Sequence, residues 1–121
     1  CIKECPNGAL SEHFGFAYEK CISYQTQKGI QTDTKGYLYG CDICQDSCKF
    51  NRNAPVNLHS EFSSKSDLAF PDPKQIIAMG ADRFKERYGK SSLYWRGYKT
   101  LRNNSEYMLT QLNCNIDHKE E

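Results

Sequence analysis

Seven cysteines stand among the 121 residues, and six of them fall within the first 48 positions: Cys1, Cys5, Cys21, Cys41, Cys44 and Cys48. A thiolate is a soft anionic ligand suited to zinc or to iron bound together with sulfide. An odd count without a readable secretion signal argues against a disulfide framework, so metal or cluster ligation is the chemistry this set points to. Two spacings sharpen the reading. Cys1-x3-Cys5 followed by Pro6 reproduces the second half of the bacterial ferredoxin run, whose two earlier cysteines would lie three and six positions upstream. Cys41-x2-Cys44-x3-Cys48 is a second compact group, and Cys21 sits alone between the two.

In two-cluster ferredoxins the last cysteine of a run ligates the other cluster. On that rule Cys5 crosses over to join Cys21, Cys41 and Cys44 in a complete ligand set for one 4Fe-4S cluster. Cys48 crosses back to join Cys1 and two upstream cysteines in a second, of which this chain holds half. The chain opens at a cysteine inside this motif, which leads us to expect a longer parent polypeptide. The competing reading is a redox-inert four-cysteine zinc site, which needs only four of the six thiolates; the x3 steps and Pro6 favour iron and sulfide. Cys114, remote in sequence, reads as a small apolar filler or free thiol. Gly40, just before Cys41, leaves room for backbone amides to approach cluster sulfur, or is an ordinary turn glycine.

A second group of residues has a different chemistry. Between Asp82 and Arg102 lie Arg83, Lys85, Arg87, Lys90, Arg96, Lys99 and Arg102 against only two acidic residues, a local balance of +5. Phe84, Tyr88, Tyr94, Trp95 and Tyr98 interleave them. Cations hold phosphates and aromatic faces stack on unpaired bases, the combination used on single-stranded RNA loops, although a charge run on a helix is also what a solvated face looks like. His13, His59 and His118 have no ligand-like or acid/base neighbours. No Gly-rich phosphate loop, HExxH, GxSxG or paired carboxylates occur, so no hydrolytic centre is expected.

The elements that must position these groups are short. Leu, Ile, Val and Phe make up only about 18% of the residues, low for a self-sufficient core, and mean hydropathy is -0.78; bound metal is expected to help hold the front half together. Sixteen Lys and Arg against fifteen Asp and Glu give a net charge of +1, so there is no global pull toward nucleic acid or anionic lipid. No apolar run is long enough for a membrane span and no signal peptide is readable, from which a soluble, cytoplasmic location is expected. Residues 1–53 form the cysteine segment, with a helix expected over Ala17–Gln27 and with Cys41, Cys44 and Cys48 near one face of a short helix or helical loop. Residues 54–72, rich in Ser, Asn and Pro, read as a linker. Residues 73–121 read as helical: Asp72 caps a helix whose first residue is Pro73, Gly80 interrupts it, Phe84 and Tyr88 continue in a second helix, and Gly89 stops it. Ser92 is expected to cap a third stretch with a stripe of Tyr94, Tyr98, Leu101, Met108 and Leu112 broken by Ser105, Gly97 splitting it. Asn115–Glu121 is expected to fray.

Three blocks, Cys5-Pro6-Asn7-Gly8-Ala9-Leu10, Lys20-Cys21-Ile22-Ser23-Tyr24 and Tyr39-Gly40-Cys41-Asp42-Ile43-Cys44-Gln45, resemble the carboxyl-terminal part of the epoxyqueuosine reductases. Arg83-Phe84, Gly89, Trp95-Arg96-Gly97 and Leu101-Arg102-Asn103 are similar to that family's helical continuation. The resemblance implies a mainly α fold with irregular loops: a ferredoxin-like dicluster segment followed by a small HEAT-like helical segment. It implies a monomeric parent enzyme that binds cobalamin and two 4Fe-4S clusters and reduces epoxyqueuosine to queuosine at the tRNA wobble position, fed by a cellular electron donor. Cys5, Cys21, Cys41 and Cys44 match one cluster's ligands, and Cys1 and Cys48 match the third and last ligands of the other. Arg83, Lys85, Arg87, Arg96, Lys99 and Arg102 are the candidate tRNA contacts. The cobalamin domain and the family's acidic proton donor would lie upstream of Cys1, so no catalytic residue is assigned here and this stretch alone is expected to be inactive. Two departures stand out: Cys48-Lys49-Phe50-Asn51 where the family continues Pro-Trp-Asn, and Gln25 in place of an apolar residue. The alternative function is a zinc-stabilised or metal-free RNA-binding module without redox activity.

Overall fold

Glycines and prolines cut the backbone into short helical pieces. The computed structural model describes residues 1–13, 15–55, 59–62 and 66–117, and α-helices dominate it: α1 Ile22–Lys28, α2 Ile43–Asp46, α3 Ser66–Ala69, α4 Pro73–Ala78, α5 Ala81–Tyr88 and α6 Gly97–Asp117. Shorter 3₁₀ turns occupy Tyr18–Lys20, Ser60–Phe62 and Ser92–Arg96. Among the described residues the extended pairing is one isolated antiparallel bridge, Leu10 with Phe16. No helix among them is long and apolar enough to cross a membrane.

The expected helix over Ala17–Gln27 divides in two. A 3₁₀ turn ends at Lys20, and Cys21, extended at φ -70° and ψ 124°, stands at the N-cap of α1. α1 ends in a Schellman turn: the Ile30 N–H reaches the Gln25 carbonyl at 3.0 Å and the Gly29 N–H reaches the Thr26 carbonyl at 3.4 Å. Gly29 takes the left-handed conformation this turn requires, φ 67°. The expected cysteine-bearing helix is a single turn, α2, that contains Cys44 alone, Cys41 preceding it and Cys48 following it. Neither Ser nor Thr supplies an N-terminal cap there, and Asp42 caps without a side-chain bond.

The helical half follows its local signals more closely. Asp72 Oδ1 accepts the Lys74 N–H at 2.9 Å with Pro73 opening α4. Gly80 is the N-cap of α5, and Gly89 closes that helix. Within 54–72, two short helical turns are present rather than a featureless link. Ser91, not Ser92, precedes the next stretch. That stretch is 3₁₀ up to Arg96 before Gly97, at φ 78°, redirects the chain into α6. The 3₁₀ register puts Leu93 in the core and leaves Tyr94 at its edge, which is why the expected 3.6-residue stripe does not extend back to Tyr94. Ser105 sits in the stripe fully buried, its hydroxyl donating to the Leu101 carbonyl at 2.8 Å. α6 continues through Asn115–Asp117, expected to fray. His118 and the side chains of Leu112 and Cys114 lie outside the described residues.

Phe84 and Tyr88, one turn apart on α5, are the largest buried side chains. Around them pack Ile76, Met79, Leu93 and Leu101, with the Phe84 ring centroid 5.5 Å from that of Tyr98. Leu38 belongs to the same core, and Tyr39 packs against it. The loop leading to Cys41 is therefore anchored in the helical half.

Candidate metal centre

The cysteines arrive on three backbone segments. In the first, the Cys5 N–H donates to the Cys1 carbonyl at 3.0 Å and Gly8 N–H to the Cys5 carbonyl at 3.1 Å, coiling the chain so that the Ala9 N–H donates to Cys5 Sγ at 3.3 Å. The second is the start of α1, where Cys21 projects from the N-cap. The third is the loop from Gly40 to Cys48. Gly40 has φ 77°, a conformation that favours glycine, and its N–H donates to Thr26 Oγ1 at 3.1 Å. The Gly40 amide itself is thus committed to Thr26.

Side chains outside the cysteines tie these segments together. Gln25 Nε2 donates to the Glu19 carbonyl at 2.8 Å while its Oε1 accepts from Asn7 Nδ2 at 3.2 Å, linking the Cys5 coil to the helix that follows Cys21. Its polar character, a departure in the sequence, has a structural use. Thr26 is fully buried; its hydroxyl donates to the Ser23 carbonyl at 3.1 Å and receives Gly40. Asn104 of α6 sends one amide nitrogen to both the Thr26 carbonyl, 2.7 Å, and the Leu38 carbonyl, 3.1 Å. Asn51 Nδ2 donates to Gln45 O and Oε1, each at 3.0 Å, closing the turn after Cys48. Sequence reasoning missed Asn7, Gln25, Thr26 and Asn104. Of these, Gln25 alone carried a signal, a polar residue in place of an apolar one; Asn7 lies in a turn.

Cys1 is exposed; Cys5, Cys21, Cys41, Cys44 and Cys48 are half-buried, and all six are free thiols. Burial pushes the Cys41 thiol up, the Ile43 N–H pulls the other way, and the charges of Cys21 and Cys44 push it further up. Cys21, Cys41 and Cys44 thus share one electrostatic neighbourhood. Among the described residues, no three His, Cys, Asp or Glu side chains gather tightly enough around one point to hold a single ion. The donor set is of the kind an iron-sulfur cluster takes: soft thiolates, five of the six half-buried, with the Ala9 N–H on the Cys5 sulfur.

The second candidate group is more dispersed. Arg83, Lys85, Arg87 and Lys99 are exposed. The Arg102 Nε donates to Glu106 Oε1 at 2.9 Å, and this bond holds its guanidinium pKa up. Arg96 is half-buried, with Nη2 3.4 Å from Gln27 Oε1 and the guanidinium 4.3 Å from the Trp95 ring centroid. His59 lies 3.9 Å from Glu61. A cleft of about 890 Å³ runs between Lys35–Asp46 and Ala69–Pro73, walled by Tyr37, Tyr39, Phe70 and Met108.

Residues 1–51 match the family described as a 4Fe-4S double cluster binding domain. The epoxyqueuosine reductase of Bacillus subtilis is 38% identical over 87% of this chain and 29% of its own length. That of Listeria monocytogenes is 32% identical over 92% and 31%. A solved B. subtilis epoxyqueuosine reductase superposes with a TM-score of 0.79 at 36% identity, covering 90% of this chain and 31% of that one. Another solved epoxyqueuosine reductase, in complex with an epoxyqueuosine-modified tRNA stem loop, gives the same score and coverage. The chain therefore spans about a third of the length of the relatives it matches. Over that third the chain is similar to the epoxyqueuosine reductases in sequence and in fold, as a fragment of such an enzyme is, and its first 51 residues match a 4Fe-4S double cluster binding domain.

Proposed function

We propose that this chain is the electron-carrying and RNA-facing part of an enzyme that reduces epoxyqueuosine to queuosine at the tRNA wobble position. The observation that carries the reading is the match of residues 1–51, which hold six of the cysteines, to a 4Fe-4S double cluster binding domain, with the Cys5 coil tied to α1 by the Asn7–Gln25 bond. In this reading these four thiolates hold one 4Fe-4S cluster, and Cys1 and Cys48 supply half the ligands of a second. When bound, such clusters accept and release single electrons. The Ala9 amide donates to the Cys5 sulfur and so favours the more negative, reduced charge state. Half-burial of the thiolates limits water access, and the Thr26–Gly40 bond keeps the third segment against α1.

Residues 1–53 carry the redox function and residues 73–121 the RNA contacts, with 54–72 between them. Arg83, Lys85, Arg87 and Lys99 neutralise phosphates, while Arg96 and Arg102 hold orientation through their own partners. Cobalamin, the proton donor and the remaining cluster ligands belong to the longer enzyme, which works as a cytoplasmic monomer and draws electrons from a cellular donor.

Anaerobic reconstitution with iron and sulfide, followed by visible absorption and iron counting, tests this. Expected is about four irons per chain for one cube, abolished by Cys21→Ser. One tightly held zinc without sulfide overturns the electron-carrier reading in favour of a redox-inert RNA-binding module.

A further inference from the structure

Trp95 is the chain's single tryptophan and is 72% exposed. The turn that carries it is anchored on both sides. Leu93 on one side is buried in the core, and the Tyr94 ring lies 6.2 Å from Phe84. On the other side Gly97 turns the chain sharply into α6 at φ 78°. The Arg96 guanidinium lies 4.3 Å from the indole centroid. Arg96 reaches Gln27 of α1 through Nη2, while its buried Nε has no hydrogen-bond partner among the described residues. A buried donor left unpaired is costly, so the guanidinium's place is set by its contact with the ring and with Gln27 rather than by full hydrogen bonding. The result is an exposed indole on an anchored turn, with a cation on it.

Its setting is basic. α5, which packs on the Ser92–Arg96 turn, exposes Arg83, Lys85 and Arg87, and Lys99 follows one turn into α6. An exposed aromatic carrying one cation, on a turn against which a basic helix packs, fits a polyanion that also offers flat π faces, which a nucleic acid with unpaired bases does and an acidic peptide does not. We propose that Trp95 is a stacking platform for an unpaired nucleobase of RNA, with Arg96 as the positioning residue that orients the indole. The inference rests on the RNA-binding half of the function proposed above, and it adds a residue and a mode of recognition.

Because Trp95 is the only indole, intrinsic fluorescence reports the contact directly. The full reconstituted chain is titrated with an RNA hairpin carrying a seven-nucleotide loop and with a fully paired duplex of the same stem. Expected is quenching by the hairpin and not by the duplex. Trp95→Ala is expected to weaken hairpin binding about ten- to hundredfold, the range for loss of one stacked base, and to leave duplex binding unchanged; Trp95→Phe is expected to retain most of the affinity. Arg96→Gln should lower the fluorescence anisotropy of the free protein's indole and weaken only the hairpin, with Arg96→Lys restoring part of both. Hairpin binding without quenching, or equal hairpin affinity for Trp95→Ala and the parent, overturns the platform while leaving RNA binding intact. Failure of the parent to bind either RNA overturns the platform and the RNA reading together, and leaves the iron count to judge the cluster reading.

Discussion

Asn104 is the residue through which the long helix controls the cysteine half, and replacing it gives a measurable consequence. Its single amide nitrogen holds the Thr26 carbonyl at 2.7 Å and the Leu38 carbonyl at 3.1 Å, one within α1, which Cys21 caps, and the other three residues before Cys41. In Asn104→Ala both bonds go. Thr26 keeps the longer bond from Gly29, whereas the carbonyl of the buried Leu38 loses the partner it has here. A net hydrogen bond is worth about 1 kcal/mol, and an abandoned buried acceptor adds about 1 kcal/mol or more, so the expected loss is about 2–3 kcal/mol. With an unfolding entropy of about 2.1 cal/mol/K per residue, a chain of this size loses about 4 °C in Tm per kcal/mol. The reconstituted variant should therefore melt about 8–12 °C lower, followed anaerobically by far-UV circular dichroism and visible absorption together, and its cluster absorption should decay faster in chelator. Asn104→Asp, which presents oxygen to both carbonyls, should be worse than Ala. A Tm within about 2 °C of the parent, with unchanged cluster decay, would refute the coupling.

Three further outcomes follow from the same contacts. Oxidative chelation of the metal should erase hydrogen-exchange protection in α1 while α5 and the Leu101–Ser105 turns of α6 keep theirs, because Phe84, Tyr88 and Leu101 are buried among themselves; equal loss everywhere would show one indivisible unit. Asp72→Ala removes the cap on Lys74 N–H and should cost about 1 kcal/mol in urea unfolding, with Asp72→Asn costing much less. The Asp33 carboxyl is held below its ordinary value, chiefly by the hydrogen bond from the Lys35 side chain. Its contribution to stability is therefore present above the unfolded-state value and lost as pH falls through the lower folded value. It is small because the pair is exposed and screened. Lys35→Ala should raise the Asp33 titration midpoint in NMR and flatten this acid-side dependence, and an unmoved midpoint would dismiss the pairing.

Local signals survived folding where they were strong and self-contained. Asp72-Pro73 caps α4 and the glycines at 80 and 89 bound α5, because capping and φ preferences act over three or four residues and need no distant partner. Phe84 and Tyr88 repeat at helical spacing and are both buried. The cysteine spacing was equally legible as chemistry, since thiolate softness and the x2 and x3 steps are properties of the chain itself. Where the forecast of a continuous helix through Cys21 and of a stripe starting at Tyr94 departed from the structure, the competing pull was tertiary. Cys21 leaves the helix for its N-cap, and Leu93 takes the core position that Tyr94 was expected to take.

What the one-dimensional order of residues determined is the ligand chemistry, the helical content and the basic, aromatic character of residues 82–102. What only the three-dimensional arrangement decided is how the parts are held: Gln25 against Asn7, Thr26 against Gly40, Asn104 across to Thr26 and Leu38, and Arg96 on Trp95. Apart from the neighbouring Arg96 and Trp95, these partners lie 14 to 78 residues apart. A polar side chain's partner is chosen by the burial that deprives it of water, and burial is a property of the packed chain rather than of any window along it.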